Sequence, residues 1–263
     1  MFRIKKEESL LSFLKEKTTL SGREIKRALE NGACRLNGKI ERFGSAKLKT
    51  GDKVTFHPPK KMAVGTLTVL HQDSSLTLFN KPSGVVSASE KGHHLVHRLD
   101  KGTSGVLLMA RTIPIKRALE TLFKKREVKK IYIAIVKGAL RKEKGTIENK
   151  LGKKGTFQGQ TLYGATPNGQ LAITHYKVLK TVKGQSLVEL HPETGRTHQL
   201  RVHLSELGHP ILGDLQYGRD AVFPKEIYRL CLHAYRLTFT HPRTGKKIQA
   251  TAPLPKLFKD LAF

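Results

Sequence analysis

The sequence predicts an α+β fold: a largely antiparallel, mixed sheet over most of the chain, preceded by a small unit of two helices and short strands. Three observations carry this. From residue 66 onward, strand-like runs follow one another across tight turns with few helices between them, which favours an antiparallel sheet over repeated βαβ units. Before residue 58, two helical segments lead into short strand-like runs that make a complete unit. Between the two lies His57-Pro58-Pro59-Lys60-Lys61, a linker pattern, because paired prolines stay extended and cannot join a strand ladder. The expected division is a first domain over 8–57, a linker over 58–65 and a second domain over 66–263.

In the first unit, Glu8 to Lys17 sets Leu10, Leu11, Phe13 and Leu14 at helical spacing. Ser21 is placed to cap a second helix through Arg23, Ile25, Ala28 and Leu29, which Asn31-Gly32 ends. Short strands follow at Ala33–Leu36 and over Lys47–Phe56, with turns at Asn37-Gly38 and Gly51-Asp52. In the second unit, strands are expected at Leu67–His71 and Leu76–Asn80, then at Val106–Ala110 and Ile131–Lys137. A helix capped by Thr112 and carrying Ala118, Leu119 and Phe123 fits between the last two. Ala172–Val182 and Ser186–His191 flank Lys183-Gly184 as a hairpin. Thr197 is expected to cap a helix with Leu200, Leu204 and Leu207, stopped by Gly208 and Pro210. A final hairpin joins Cys231–Thr240 to Lys247–Ala250.

Lysine and arginine number 49 against 21 aspartates and glutamates, a net charge of +28. A surface that basic repels itself unless a polyanion is the partner, so nucleic acid comes first and an anionic membrane second. Clusters such as Lys124-Lys125-Arg126, Lys129-Lys130 and Lys153-Lys154 are mostly of one sign, which with the net excess suits contact with a phosphate backbone. Two cysteines, Cys34 and Cys231, make no disulfide framework and no C-x-x-C zinc pair. His93-His94-x-x-His97 has only Asp100 at ligand spacing, so no metal is expected. No apolar run reaches the roughly 18 residues of a membrane span, and the first seventeen residues interleave charges as a signal peptide does not. A reduced, cytoplasmic protein is the expectation.

Three stretches carry candidate chemistry. In Leu95-Val-His-Arg-Leu-Asp-Lys-Gly-Thr-Ser-Gly-Val-Leu-Leu-Met109, Asp100 stands before a small, flexible run that leads into an apolar strand. Such an acid either caps the turn or faces a ligand that the backbone lets approach closely. In Glu193-Thr-Gly-Arg-Thr-His-Gln-Leu-Arg-Val-His203, Arg201 falls early in a helix, where a cation is disfavoured unless an anion or solvent receives it. Arg196 and His198 beside it are ordinary polar groups or phosphate donors. In Lys129-Lys-Ile-Tyr-Ile-Ala-Ile-Val136, alternation puts Tyr132 on the face opposite Ile131 and Ile133, as core or as a stacking platform for a base.

With these stretches in view, the chain resembles the RluA-type family of pseudouridine synthases along nearly its whole length. Asn80-Lys-Pro-Ser-Gly84 is similar to the family's opening motif and His97-Arg-Leu-Asp-Lys-Gly-Thr-Ser-Gly105 to its catalytic motif. Lys130-Ile-Tyr-Ile-Ala134, Gly195-Arg-Thr-His-Gln-Leu-Arg-Val-His203 and Gly208-His-Pro-Ile-Leu-Gly-Asp214 match the remainder in family order. The first unit is similar to an S4 domain, a small α/β RNA-binding module, through Ile25-Lys-Arg-Ala-Leu-Glu-Asn-Gly-Ala-Cys-Arg-Leu-Asn-Gly38 and Leu48-Lys-Thr-Gly-Asp52. Two departures stand out: a short stretch between Gly84 and His97, and Glu8-Ser-Leu-Leu-Ser12 in place of the usual Arg-Leu-Asp opening of the S4 helix.

The resemblance implies isomerisation of uridine to pseudouridine in RNA, ribosomal RNA before transfer RNA, by a monomer that needs no metal or redox cofactor and no membrane. It makes Asp100 the essential carboxylate, Arg201 its partner, Tyr132 the contact to the target base and Arg98 the plug for the gap that base leaves. Whether Asp100 bonds covalently to C1′ or promotes a glycal stays open. His97, Arg196, His198 and Lys130 are expected at the substrate, and Lys26, Arg27, Arg35, Lys39, Lys124 and Lys125 on the RNA-binding surface. A non-catalytic RNA-binding or ribosome-assembly protein is the alternative, and a base-releasing glycosylase a third class.

Overall fold

The structure, a computed structural model, describes residues 1–30, 32–57, 65–157, 160–218 and 227–261, without the side chains of Arg27, Glu30 and Phe157. Two compact units divide the chain, Met1–Met62 and Ala63–Phe263. Of the expectations above, the linker residues 58–64, Asn31 and the Arg27 side chain lie outside the described residues.

The first unit runs β1 (Phe2–Arg3), β2 (Glu8–Ser9), α1 (Leu10–Lys17), α2 (Gly22–Glu30), β3 (Cys34–Leu36), β4 (Lys39–Ile40), β5 (Lys47–Leu48) and β6 (Lys53–Phe56). Ser9 starts α1 by accepting from Ser12 N–H at 3.2 Å. Ser21 and Glu24 form a reciprocal cap on α2, the Glu24 carboxylate accepting from Ser21 N–H at 2.8 Å and Ser21 Oγ from Glu24 N–H at 3.3 Å. The strands order β1-β6-β3-β4, with β2 paired to β5. Leu10, Leu14, Ile25, Leu29, Leu48 and Val54 fill the core between helices and sheet. Asn37 and Gly38 both take positive φ, as the tight β3–β4 turn requires, and the Asn37 side chain is held by Asp52 and Lys53 N–H.

The second unit holds β7 (Thr68–Gln72), β8 (Leu76–Lys81), β9 (His94–Leu95), β10 (Ser104–Ala110), α3 (Ile113–Lys124), β11 (Lys129–Lys137), β12 (Lys144–Phe157), β13 (Gln160–Ala165), β14 (Gln170–Val182), β15 (Gln185–Pro192), α4 (Gln199–Glu206), β16 (Leu232–Thr240), β17 (Lys247–Thr251) and α5 (Lys256–Asp260). Eleven strands make one sheet, β13-β12-β14-β15-β11-β16-β10-β8-β7, with β17 added on β16 and β9 on β10. Its pairings are antiparallel except β10 with β16. Every residue of β10 is buried, so the strand that follows Asp100 is the most enclosed part of the sheet.

The parallel junction depends on Gly105. Its φ is +114°, and a Cβ there would stand 2.1 Å from the Ala234 carbonyl oxygen. Gly105→Ala is expected to cost at least about 3 kcal/mol, from unfavourable φ and overpacking together. Denaturant unfolding checks this, and an unchanged midpoint would mean that β10 and β16 part without penalty.

One expectation is corrected, and two further elements appear that the sequence does not mark. Thr197 does not cap α4: the N-cap is His198, in the left-handed region and without a side-chain cap bond, while the Gln199 side chain ties back the preceding turn by accepting from Arg196 N–H at 2.9 Å. The β12–β13 hairpin was not expected, since Gly145, Gly152 and Gly155 and four lysines break any alternation in Lys144–Phe157. The short α5 also went unmarked in the sequence.

Candidate active site

Asp100 lies in the loop that enters β10, and two short segments of backbone hold that loop. Ser87 Oγ both accepts from Leu99 N–H (3.0 Å) and donates to its carbonyl (2.9 Å), while Leu99 itself is buried. Ser83 Oγ donates to the Gly102 carbonyl at 2.7 Å, and Gly84 N–H to that of Lys101 at 2.7 Å. The Lys81 ammonium sits beneath, fully buried, donating to the carbonyls of Pro82 (3.0 Å), Val85 (2.7 Å) and Lys101 (3.4 Å). Burial and nearby Arg229 bring its pKa down to about 8, against the opposing pull of the Asp100 charge. The Asn80-Lys-Pro-Ser-Gly84 stretch therefore works as a clamp that fixes where Asp100 stands.

Helix α4 supplies the counter-charge. Arg201 NH1 reaches Asp100 Oδ2 at 3.4 Å, but the tighter partner of this guanidinium is Asp214. Arg201 donates to Asp214 through Nε (2.7 Å) and NH2 (2.9 Å), and NH2 also reaches Gln216 Oε1 at 3.0 Å. Asp214 is fully buried and accepts further from Gln216 and Tyr217 N–H, so it anchors the fork rigidly. The Tyr217 ring lies under the guanidinium, 4.9 Å from centroid to Cζ. Arg201 thus stands between two carboxylates: one buried and bidentate, the other, 28% exposed, touched at a single longer contact. Asp100 keeps an open oxygen face toward solvent. Asp100 is thus partly accessible and not locked in a bidentate pair.

His198 completes this wall, its Nε2 4.0 Å from Asp100 Oδ1. The Tyr217 hydroxyl oxygen accepts from Tyr163 N–H at 3.1 Å and is hydrogen-bonded to His198 Nδ1 at 2.8 Å, which fixes the orientation of the imidazole. Burial and Arg201 hold this imidazole below its ordinary range, and the Tyr217 phenol is pushed up to about 12, chiefly by burial.

The other expected residues divide. Tyr132 follows a bulge in the pairing of β11 with β16, between Ile131 and Tyr132, and packs against the cluster that includes Leu99 and Met109. Burial and the Asp100 charge both raise its phenol, which stays protonated. Arg98, two residues before Asp100, is exposed. His97, expected at the substrate, is spent on the fold: its ring stacks on Phe123 at 4.8 Å and its Nε2 accepts from Leu108 N–H at 3.1 Å. Burial and Lys130 bring its pKa down to about 4, so it is neutral. Lys130, also expected at the substrate, donates to the Thr194 carbonyl at 3.3 Å and is lowered to about 8 by burial and Arg126. Arg196 fixes its Nε on the Leu171 carbonyl at 3.0 Å. Lys124 and Lys125 are exposed at the end of α3, and Lys26, Arg35 and Lys39 are exposed on the first unit.

Asp214, Gln216, Tyr217, Tyr163 and Lys81 went without a role in the sequence. The signal for two of them was present, since Lys81 and Asp214 sit inside quoted motifs. A carboxylate that charge-rich motifs carry into an apolar stretch such as Pro210-Ile-Leu-Gly-Asp214 has to meet a cation. An ionised carboxylate braced by a fixed guanidinium suits chemistry at an electron-poor sugar carbon, where negative charge stabilises the transition state.

Known proteins share this chain's sequence and fold. Residues 88–206 match the RNA pseudouridylate synthase family. A Zymomonas mobilis RNA pseudouridine synthase is 43% identical over 194 residues, covering 73% of this chain and 87% of its own. A Vibrio cholerae protein named ribosomal large subunit pseudouridine synthase D is 31% identical, over 90% of this chain and 85% of its own. Among solved structures, human RNA pseudouridylate synthase domain containing 4 superposes with a TM-score of 0.61 at 30% identity, covering 73% of this chain and 90% of that one. The chain belongs to the RluA-type family of RNA pseudouridine synthases. Among the described residues, no helix is long and apolar enough to cross a membrane.

Proposed function

We propose that the protein converts uridine to pseudouridine in ribosomal RNA, with transfer RNA as the second substrate class, and that Asp100 is the carboxylate at the reacting sugar. The observation that supports this most is the partly exposed Asp100 beside an Arg201 whose other contacts are all satisfied within the wall. The N1–C1′ bond breaks, Asp100 compensates the positive charge growing at C1′, the uracil turns, and C5 bonds to C1′. The hydrogen leaves C5 and N1 ends protonated, so the change is redox-neutral and atoms balance. Tyr132, held as a phenol, serves as a surface for the base rather than as a phenolate base. The target uridine has to leave its stack, and the exposed Arg98 is placed to fill the gap. The first unit, an S4-like module in this reading, adds phosphate contacts through Lys26, Arg35 and Lys39, while Lys124 and Lys125 do so from the second. The protein works as a cytoplasmic monomer.

Large-subunit ribosomal RNA labelled with tritium at uridine C5 tests this. Release of tritium to water, with pseudouridine at a defined position, is the expected result. Free uracil would instead mark a glycosylase, and tight binding with no tritium release would mark a non-catalytic RNA-binding protein; either outcome overturns the proposal.

A further inference from the structure

A cleft opens beside the Asp100 wall, at the hairpin the sequence did not reveal. It encloses about 250 Å³ between β12, β13, the turn before β14 and the residues just ahead of α4, with Lys153, Tyr163, Asn168, Gln170, Arg196 and Thr197 among its lining. None of the described residues lining it is acidic. Tyr163 joins the two sites: its ring lies 5.6 Å from that of His198, whose Nε2 is 4.0 Å from Asp100. The cleft therefore begins one aromatic ring away from the reacting carboxylate.

Its chemistry is mixed. Lys153 pairs directly across from Tyr163 in the β12–β13 register, so cation and ring share one face, and the pairing is bulged immediately after Lys153. Bulges of this kind re-aim side chains near functional sites. Arg196 is tethered by Nε to the Leu171 carbonyl, which leaves its two terminal nitrogens without a protein partner among the described residues. Asn168 and Gln170 are exposed and bring both donors and acceptors. Gly169 and Gly152 let the segments that line it pack closely: a Cβ on Gly169 would come within 2.6 Å of the Leu151 and Lys150 carbonyl carbons, and one on Gly152 within 2.6 Å of Thr166 Cγ2. A purely electrostatic groove needs no amides and no ring. A cleft with two cations, one ring and two amides fits one nucleotide: phosphate to Lys153 and Arg196, base against Tyr163, base edge to Asn168 and Gln170.

We infer that this cleft holds the nucleotide next to the target uridine and reads its base, so that the enzyme selects its site partly by that neighbour. The inference rests on the RNA-isomerase reading above. The test uses the full chain and short RNAs spanning a mapped site of modification, each with an abasic nucleotide at one position flanking the uridine. Single-turnover rates are measured at sub-saturating protein for the wild type and for Lys153→Met/Asn168→Ala, two exposed positions whose change leaves the fold intact. One flanking abasic position should cut the wild-type rate about tenfold or more, the scale of one lost stacked and hydrogen-bonded base. The double variant should be slowed comparably on intact RNA and show little further loss at that same position. Penalties that simply multiply at every flanking position would overturn the subsite while leaving the isomerase intact. Absence of pseudouridine from the wild type with every RNA would reject the isomerase reading and the subsite with it.

Discussion

Asp100→Asn should make a protein that folds and binds RNA but does not isomerise uridine. The substitution keeps shape and removes the charge that compensates C1′, so the single-turnover rate should fall by about four orders of magnitude or more, as when a nucleophile is deleted from an enzyme whose groups act as a unit. Stability should change by less than about 1 kcal/mol, because the carboxylate is part-exposed and its one contact to Arg201 is 3.4 Å long. Affinity for RNA should stay level or rise, since one negative charge has left a surface that meets phosphate. An asparagine introduced there can deamidate back to the acid, so Asp100→Ala serves as the second variant. Single-turnover assays with protein in excess, alongside filter binding, separate rate from affinity. Turnover above about one part in a hundred of the wild-type rate by pure Asp100→Ala protein would sink the assignment, since the loss expected of a deleted nucleophile is far larger.

What could be read from the sequence was local in its physics. Ser21 with Glu24 caps α2 and Thr112 caps α3, each from contacts within four residues, and Asn37-Gly38 turns β3 into β4 through the positive φ of both residues. The β12–β13 hairpin is different. Its fourteen-residue β12 owes its existence to pairing with β14 along Lys144–Leu151 and to nothing periodic in itself, so no window of sequence announces it. The parallel contact of β10 with β16 joins residues more than a hundred apart and shows only as the unexplained glycine at 105. In the site, residue type pointed to Asp100 and Arg201, which the structure brings together, and equally to His97 and Lys130, which it holds in contacts of their own. Both carry donors that RNA would accept, yet one is stacked on Phe123 and the other ties down the Thr194 carbonyl. Charge in a sequence says that a partner exists. Burial decides whether the partner is the substrate or the fold, and that is why Arg201 was matched to Asp100 alone when its tighter bonds go to Asp214.

Asp214→Asn should therefore damage both stability and rate, for separable reasons. The carboxylate is fully buried and accepts from Arg201 Nε and NH2 and from two backbone N–H groups. An amide keeps one acceptor oxygen but turns its NH2 toward the Arg201 fork, leaving a buried guanidinium half unpaired, at a cost of about 3–5 kcal/mol. Freed from its anchor, Arg201 should then turn its fork onto Asp100, and a bidentate pair there would blunt the open oxygen face that the reaction uses. The rate is expected to fall by about 100-fold or more, on the order of a lost positioning contact. A structural role alone would predict the stability loss without a separate effect on rate, so a second variant distinguishes them. In Arg201→Met/Asp214→Leu both charges are replaced by apolar side chains of similar size, which should restore much of the unfolding midpoint. The rate should remain low, because Asp100 now has no counter-charge to hold it in place. Denaturant unfolding and saturating single-turnover rates on the two variants decide the matter. A double variant that recovers rate together with stability would show that Asp214 and Arg201 merely hold the wall up, and that Asp100 works without them.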